Sequence, residues 1–394
     1  MHCSGGGRNL NAWIGEPVPR RSDTTVSVQY PEVGRHDPRS ADVHPRGLKV
    51  EYGQGSGPVG QGLSHISHTT TVGLAPAIPA APSPAHRRLA PMNAQSPYAS
   101  ALAAIPQRQA QISVLGAVTQ YWEYGPADAD TVLLFVHGFR GDHHGLEPVV
   151  AHLGGNVRII APDLPGFGTS EVLPEREHDL QAFVDWLIAF REQVVPGGPT
   201  TFAVLGHSFG SIVVSAAAAA GLRTPRVILV NPIAAPALEG PRGLLTRLAV
   251  FYYWVGSKLP QRLGFWALRW RLVTRIMSVT MAKTKDKSLR RWIHQEHDRY
   301  FGGFADRDSL LQAFKTSVSH NVAEAAAAIP QPTLLIAAAQ DDITPVAAQH
   351  DLQQRFPDAT LVVIEGVGHL IHYETPMQAA EAIRAFLPSP DRTV

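Results

Sequence analysis

The chain has 394 residues, 44% of them hydrophobic and 17% charged, with a formal net charge of +1. This supplies apolar material for a large core, and the charge balance is too neutral overall for a nucleic-acid binder. Cys3 is the only cysteine, which excludes an intramolecular disulfide and a thiolate metal cluster.

No N-terminal stretch joins a basic start, an apolar run and a small-residue cleavage site, and no run of about eighteen apolar residues occurs. A soluble, cytoplasmic protein is expected. Residues 1–91 hold 12 of the 34 glycines and 11 of the 32 prolines, only 16 Leu, Ile or Val, and no Phe. Such a composition is too poor in apolar side chains to pack a core, so 1–91 is expected to be a disordered tail. Met92 opens a segment with ordinary periodicity, and an alternative is that Met92 is the true start and 1–91 an upstream extension. The histidine pairs of the tail, His36/His44 and His65/His68, are read as polar, solvated residues.

From 112 to 125 the chain alternates around a central glycine, which suits a hairpin at a sheet edge. Short apolar runs follow at 131–138, 157–163, 201–206, 226–232, 332–339 and 361–366, of the kind buried on both faces of a sheet. Helical patterns at 179–194 and 375–387 lie among them, and the alternation predicts a mainly parallel α/β sheet with helices on both faces. Sites on such sheets form at the carboxyl ends of strands. Four ends carry chemistry: His137-Gly138-Phe139-Arg140-Gly141, His207-Ser208-Phe209-Gly210, Asp341-Asp342-Ile343-Thr344-Pro345, and His369. A nucleophile, an acid and an imidazole therefore meet one edge in the chain order Ser, Asp, His.

Gly206-His207-Ser208-Phe209-Gly210, between a strand and a helix, resembles the nucleophile elbow of the α/β-hydrolase superfamily. The resemblance extends through His137-Gly138-Phe139, "APDLPGFGTS" at 161–170, Asp341-x-Ile343-x-Pro345 and "GVGHLIHYETP" at 366–376, and covers about residues 110 to 390. It implies an eight-stranded, mainly parallel sheet whose core is 92–233 and 321–394, with a helical lid inserted at 234–320. It also implies Ser208 as nucleophile, His369 as base, Asp341 as the orienting acid, and the backbone N–H groups of Phe139 and Phe209 as an oxyanion hole. No cofactor and no metal are implied.

Each role has a competitor. Ser208 also suits a helix N-cap, although a cap does not explain glycines on both sides. His372 is a rival base, and is otherwise expected to pack under the following helix; Gly368-His369 after an apolar strand favours His369. Asp342 adjoins Asp341, and the family spacing of four residues before the proline favours Asp341. Asn231, where some relatives place their acid, is uncharged. His137 is read as holding the oxyanion loop, and Asp142, His143 and His144 as a solvated loop.

The 234–320 segment is expected to carry specificity, with Trp254, Trp266 and Trp270 as candidates for the substrate pocket. From 242 to 291 it holds twelve lysines and arginines against Asp286 alone. One reading packs its apolar face on the core with its arginines in water; another makes it a basic amphipathic surface giving weak peripheral contact with an anionic membrane. Arg140 is a candidate for binding a substrate carboxylate or phosphate, or for a salt bridge to a neighbouring acid.

The function expected is a serine hydrolase cleaving a carboxylic ester, or related acyl bond, of an apolar small molecule through an acyl-enzyme. A serine at 208 speaks against dehalogenase and epoxide hydrolase chemistry, which uses aspartate. Carbon–carbon bond hydrolysis, thioesterase, acyltransferase and cofactor-free haloperoxidase activities share the triad. Ring-cleavage hydrolases usually carry Asn and a second Gly where His207 and Ser211 stand here. The alternative of another class is a non-catalytic ligand-binding receptor.

Overall fold

A computed structural model of the protein describes residues 96–196, 201–235 and 243–388. The expectations for the 1–91 tail and for Met92 lie outside the described residues. Among the described residues a short helix, α1 Ala99–Ala103, precedes eight strands that form one sheet: β1 Gln107–Val114, β2 Ala117–Tyr124, β3 Thr131–Val136, β4 Arg158–Pro162, β5 Thr201–His207, β6 Val227–Val230, β7 Thr333–Ala338 and β8 Ala359–Ile364. Their spatial order is β1-β2-β4-β3-β5-β6-β7-β8. β1 and β2 are the expected antiparallel hairpin, registered Val114 to Ala117, and β2 also runs antiparallel to β4. Leu115 and Gly116 both take positive φ, 50° and 85°, as a two-residue turn matched to strand twist requires. All the other pairings are parallel.

The apolar runs are buried on both faces because alternate side chains join two different cores. Val132, Leu134 and Val136 of β3 pack in one core with Phe183, Trp186 and Phe190 of α3 (Leu180–Val194) and Ile212 and Val213 of α4 (Phe209–Ala219). Leu133 and Phe135 enter the other, with Val149, Val150 and Leu153 of α2 (Glu147–Leu153) and Ala379, Ala380 and Ile383 of the C-terminal helix Pro376–Phe386. α3 starts where Asp179 accepts the Ala182 N–H at 2.8 Å, satisfying one of the free amides of its first turn.

Among the described residues five α-helices lie between β6 and β7: α5 Gly243–Lys258, α6 Gln261–Leu268, α7 Arg271–Met281, α8 Lys287–Tyr300 and α9 Arg307–Ser319. They pack inward through Tyr253, Leu268, Trp292 and Ile293, all buried. Arg247, Arg262 and Arg271 face water, as in the reading that packs the apolar face on the core, and the outward faces of α5, α6 and α7 carry apolar side chains as well. Ser278 of α7 lies 2.6 Å from His294 Nδ1 and 2.7 Å from His297 Nδ1, and so holds α7 against α8.

Candidate active site

Each candidate side chain stands where a parallel strand ends. β3 runs into His137-Gly138-Phe139-Arg140, β5 into Ser208, β6 into Asn231 and β7 towards Asp341, with His369 beyond β8. Ser208 turns the chain from β5 into α4 with φ 53° and ψ −116°, a conformation that costs a non-glycine residue on the order of 1–3 kcal/mol. The glycines beside it are there for space. A Cβ at 206 would overlap the Gly210 carbonyl, and one at 210 would overlap the Val136 carbonyl on β3. Ser208 occupies the N-cap position of α4 but its hydroxyl caps no amide.

That hydroxyl instead lies 2.8 Å from His369 Nε2, and His369 Nδ1 lies 2.8 Å from Asp341 Oδ2. Asp341 Oδ1 accepts the N–H groups of Ile343 at 2.7 Å and Thr344 at 3.3 Å, and Oδ2 also accepts Asn231 Nδ2 at 3.1 Å. Burial alone would raise its pKa, but His369 and these donors outweigh burial and hold it below the usual carboxylate range. An ionised Asp341 keeps the imidazole proton on Nδ1, which leaves the Nε2 lone pair facing the serine. Asp342 turns away to pair with Lys283.

The Phe209 N–H, at the first position of α4, and the Phe139 N–H donate to no protein acceptor among the described residues. Both residues line a cavity of about 210 Å³ above Ser208, with Ile233, Met277, Phe301 and Val318 as further apolar walls. His207 and His372 line it too, their rings 4.1 Å apart, and His207 Nε2 and His372 Nδ1 have no hydrogen-bond partner among the described residues. Burial, reinforced by His369, pushes the His207 pKa down to about 3, and burial takes His372 well below its ordinary value. His372 therefore packs beside His207 at the cavity, and makes no hydrogen bond to Ser208.

Four pocket assignments need correcting. Trp254, Trp266 and Trp270 are exposed and do not line the cavity, because α5, α6 and the turn between α6 and α7 direct these positions outward. Arg140 is 1% exposed and does not line it either. Its guanidinium donates to the carbonyls of Leu268 at 2.8 Å and Phe301 at 2.9 Å and to the Tyr253 hydroxyl at 3.3 Å. These partners are neutral oxygens where a carboxylate was considered, and they tie the loop after β3 to the inserted helices. Arg140 does this from a positive φ of 60°.

Two further groups hold that loop. His137 Nδ1 lies 2.8 Å from the Gly138 carbonyl and its Nε2 accepts the Leu164 N–H at 2.9 Å, so the ring is neutral, and burial lowers its pKa. Asp163, from the 161–170 motif, accepts the backbone and ring N–H of His143 and the Thr169 N–H. Burial opposes its ionisation, but His143 prevails and takes its pKa down to about 2. The 142–144 loop is consequently not solvated: His143 is buried and stacks on Trp122 at 3.3 Å, and His144 stacks on Tyr300 at 3.9 Å. Gly168 is required here, with φ 54° and a hypothetical Cβ inside the Asp163 carboxylate.

Residues 133–382 match the family model described as the alpha/beta hydrolase family. The chain belongs to that family. This hydrolase is 28% identical over 252 residues to the magnesium-chelatase 30 kDa subunit of Rhodobacter capsulatus, covering 63% of this chain and 83% of the relative. It is 25% identical to the pimeloyl-acyl-carrier-protein methyl ester esterase of Aeromonas hydrophila, over 66% of this chain and 95% of that one. Its fold is similar to a thermophilic esterase from Thermogutta terrifontis, with a TM-score of 0.56, 22% identity and coverage of 71% and 97%. Among the described residues of the hydrolase, no helix is long and apolar enough to cross a membrane.

Proposed function

We propose that the protein is a serine hydrolase that cleaves a carboxylic ester, or a related acyl bond, of an apolar small molecule. The observation that carries this reading is the continuous chain from Ser208 Oγ through His369 to Asp341, two contacts of 2.8 Å each. Ser208 Oγ attacks the acyl carbon while His369 Nε2 takes its proton, and the imidazolium is stabilised by Asp341, which stays ionised. The resulting oxyanion accepts hydrogen bonds from the N–H groups of Phe139 and Phe209, each worth about 3 kcal/mol in the transition state. His369 then returns the proton to the departing alcohol, leaving an acyl-Ser208. Water attacks that acyl group with His369 again as base, releasing the acid and restoring the serine.

The apolar walls of the cavity support an apolar substrate, and a relative named for methyl ester hydrolysis supports ester chemistry. The inserted segment supplies Met277, Phe301 and Val318 to that cavity and acts in this reading as its lid. A fluorophosphonate probe should label the wild-type protein and leave Ser208→Ala unlabelled, and an ester panel graded by acyl length should show matching turnover. Labelling that survives in Ser208→Ala would remove Ser208 as the nucleophile.

A further inference from the structure

Among the described residues twelve large hydrophobic side chains are exposed, and nine of them lie between 248 and 279. They recur at helical spacing, with Phe251 and Trp254 on α5, Trp266 on α6 and Trp270 just beyond it, and Ile276 and Val279 on α7. Phe251, Trp266 and Ile276 are 59%, 62% and 58% exposed. Phe251 stacks on Trp254 and Trp266 on Trp270, at 6.0 and 5.7 Å, so the rings lie side by side in the surface. A concentration of apolar side chains on this scale marks an interaction surface.

Charge identifies what it meets. From 243 to 285 the chain has eight basic residues and no acidic one, while the whole protein carries only +1. Arg262 and Arg271 are exposed next to the apolar stripes. A second copy would oppose cation to cation, whereas a bilayer with anionic headgroups offers phosphates to the arginines, an apolar layer to the stripes and a boundary that suits tryptophan.

We propose that α5, α6 and α7 dock on the surface of an anionic phospholipid bilayer, lying in the boundary between headgroups and acyl chains without spanning it. The docking face adjoins the site, because α7 gives Met277 and Met281 to the cavity while Ile276 and Val279 face outward. An apolar substrate dissolved in the bilayer would thus arrive beside the catalytic cavity. The docking itself goes beyond the ester-hydrolase reading and does not depend on it.

The test floats purified full-length Ser208→Ala protein with vesicles of phosphatidylcholine, alone or mixed with phosphatidylglycerol, and follows tryptophan emission. Binding should favour the anionic vesicles and shift the emission to the blue. Trp266→Ser/Ile276→Ser and Arg262→Glu/Arg271→Glu, shown by unchanged melting to be folded, should each weaken partitioning by about tenfold or more. The proposal is overturned by no flotation with anionic vesicles, by equal flotation with both kinds, or by binding that survives in both double variants. A dimer dispersed by Trp266→Ser/Ile276→Ser, without flotation, would assign the surface to a second copy. Catalysis enters none of these readouts, so the fluorophosphonate result stands separately.

Discussion

Asn231 donates its amide to the same carboxylate oxygen of Asp341 that receives His369 Nδ1, at 3.1 Å. Asn231 sits at the end of β6 with φ 46°, a conformation that asparagine tolerates better than most residues. An amide at this point steadies the carboxylate without competing with it for the His369 Nδ1 proton.

Asn231→Asp keeps the shape and replaces a donor by a second carboxylate. Like charges so close cannot both ionise freely, so a shared proton is needed to restore the lost hydrogen bond. Turnover should fall about tenfold or more near neutral pH and recover relative to wild type as pH falls. A kcat against pH profile parallel to wild type would contradict this.

Asp341→Asn should lower kcat by on the order of 10⁴, because the imidazole would no longer be held in the required tautomer. Asp342→Asn removes the pairing with Lys283 of the inserted segment and should change kcat by less than about tenfold. Steady-state kinetics on any ester that the wild type hydrolyses will rank the two, and a reversed order would reassign the acid.

Arg140→Met should leave the Leu268 and Phe301 carbonyls short of a donor. The expected loss is about 2–4 kcal/mol of stability, seen in chemical denaturation, with kcat reduced through a looser loop around Phe139. Arg140→Lys should recover only part of either quantity, since one ammonium cannot reproduce the guanidinium fork. Full recovery by lysine would show that charge alone is needed.

Stability should decline on mild acidification. Burial, the largest influence on each, holds His207 and His297 at about 3 and His372 well below the ordinary 6.5. As pH falls below about 6.5 the unfolded chain takes up these protons and the folded chain does not. Stability fully present above that value is withdrawn by about 1.4 kcal/mol per pH unit for each histidine, down to the folded pKa. Urea denaturation between about pH 7 and pH 5 measures the slope, and His297→Phe should flatten it by one histidine's share. An unchanged slope in His297→Phe would mean that His297 is protonated in the folded protein.

The sheet was legible in the sequence because its runs are short, β-branched and buried on both faces, and period and composition report that directly. Ser208, Asp341 and His369 were legible for a related reason: each follows such a run, and Gly206 and Gly210 mark a turn that a side chain would obstruct. Arg140 was not legible. Its partners are two backbone carbonyls and a tyrosine hydroxyl more than 110 positions away, and carbonyls leave no trace in residue identity. The exposed tryptophans defeated prediction differently, since periodicity identifies a helix stripe but not the side of the helix that the fold covers. His143 looked like loop polarity, and only its contact with Asp163, 20 residues further along the chain, makes the two a buried pair.

The three bonds of Arg140 also limit how freely this enzyme can be rebuilt. Exchanging its inserted helices for those of another hydrolase would strand a cation in the interior and unseat the strand-end loop beneath it. Chimeras that ignore position 140 should express poorly, whatever pocket they were meant to create, so specificity here evolves in step with the scaffold that carries it.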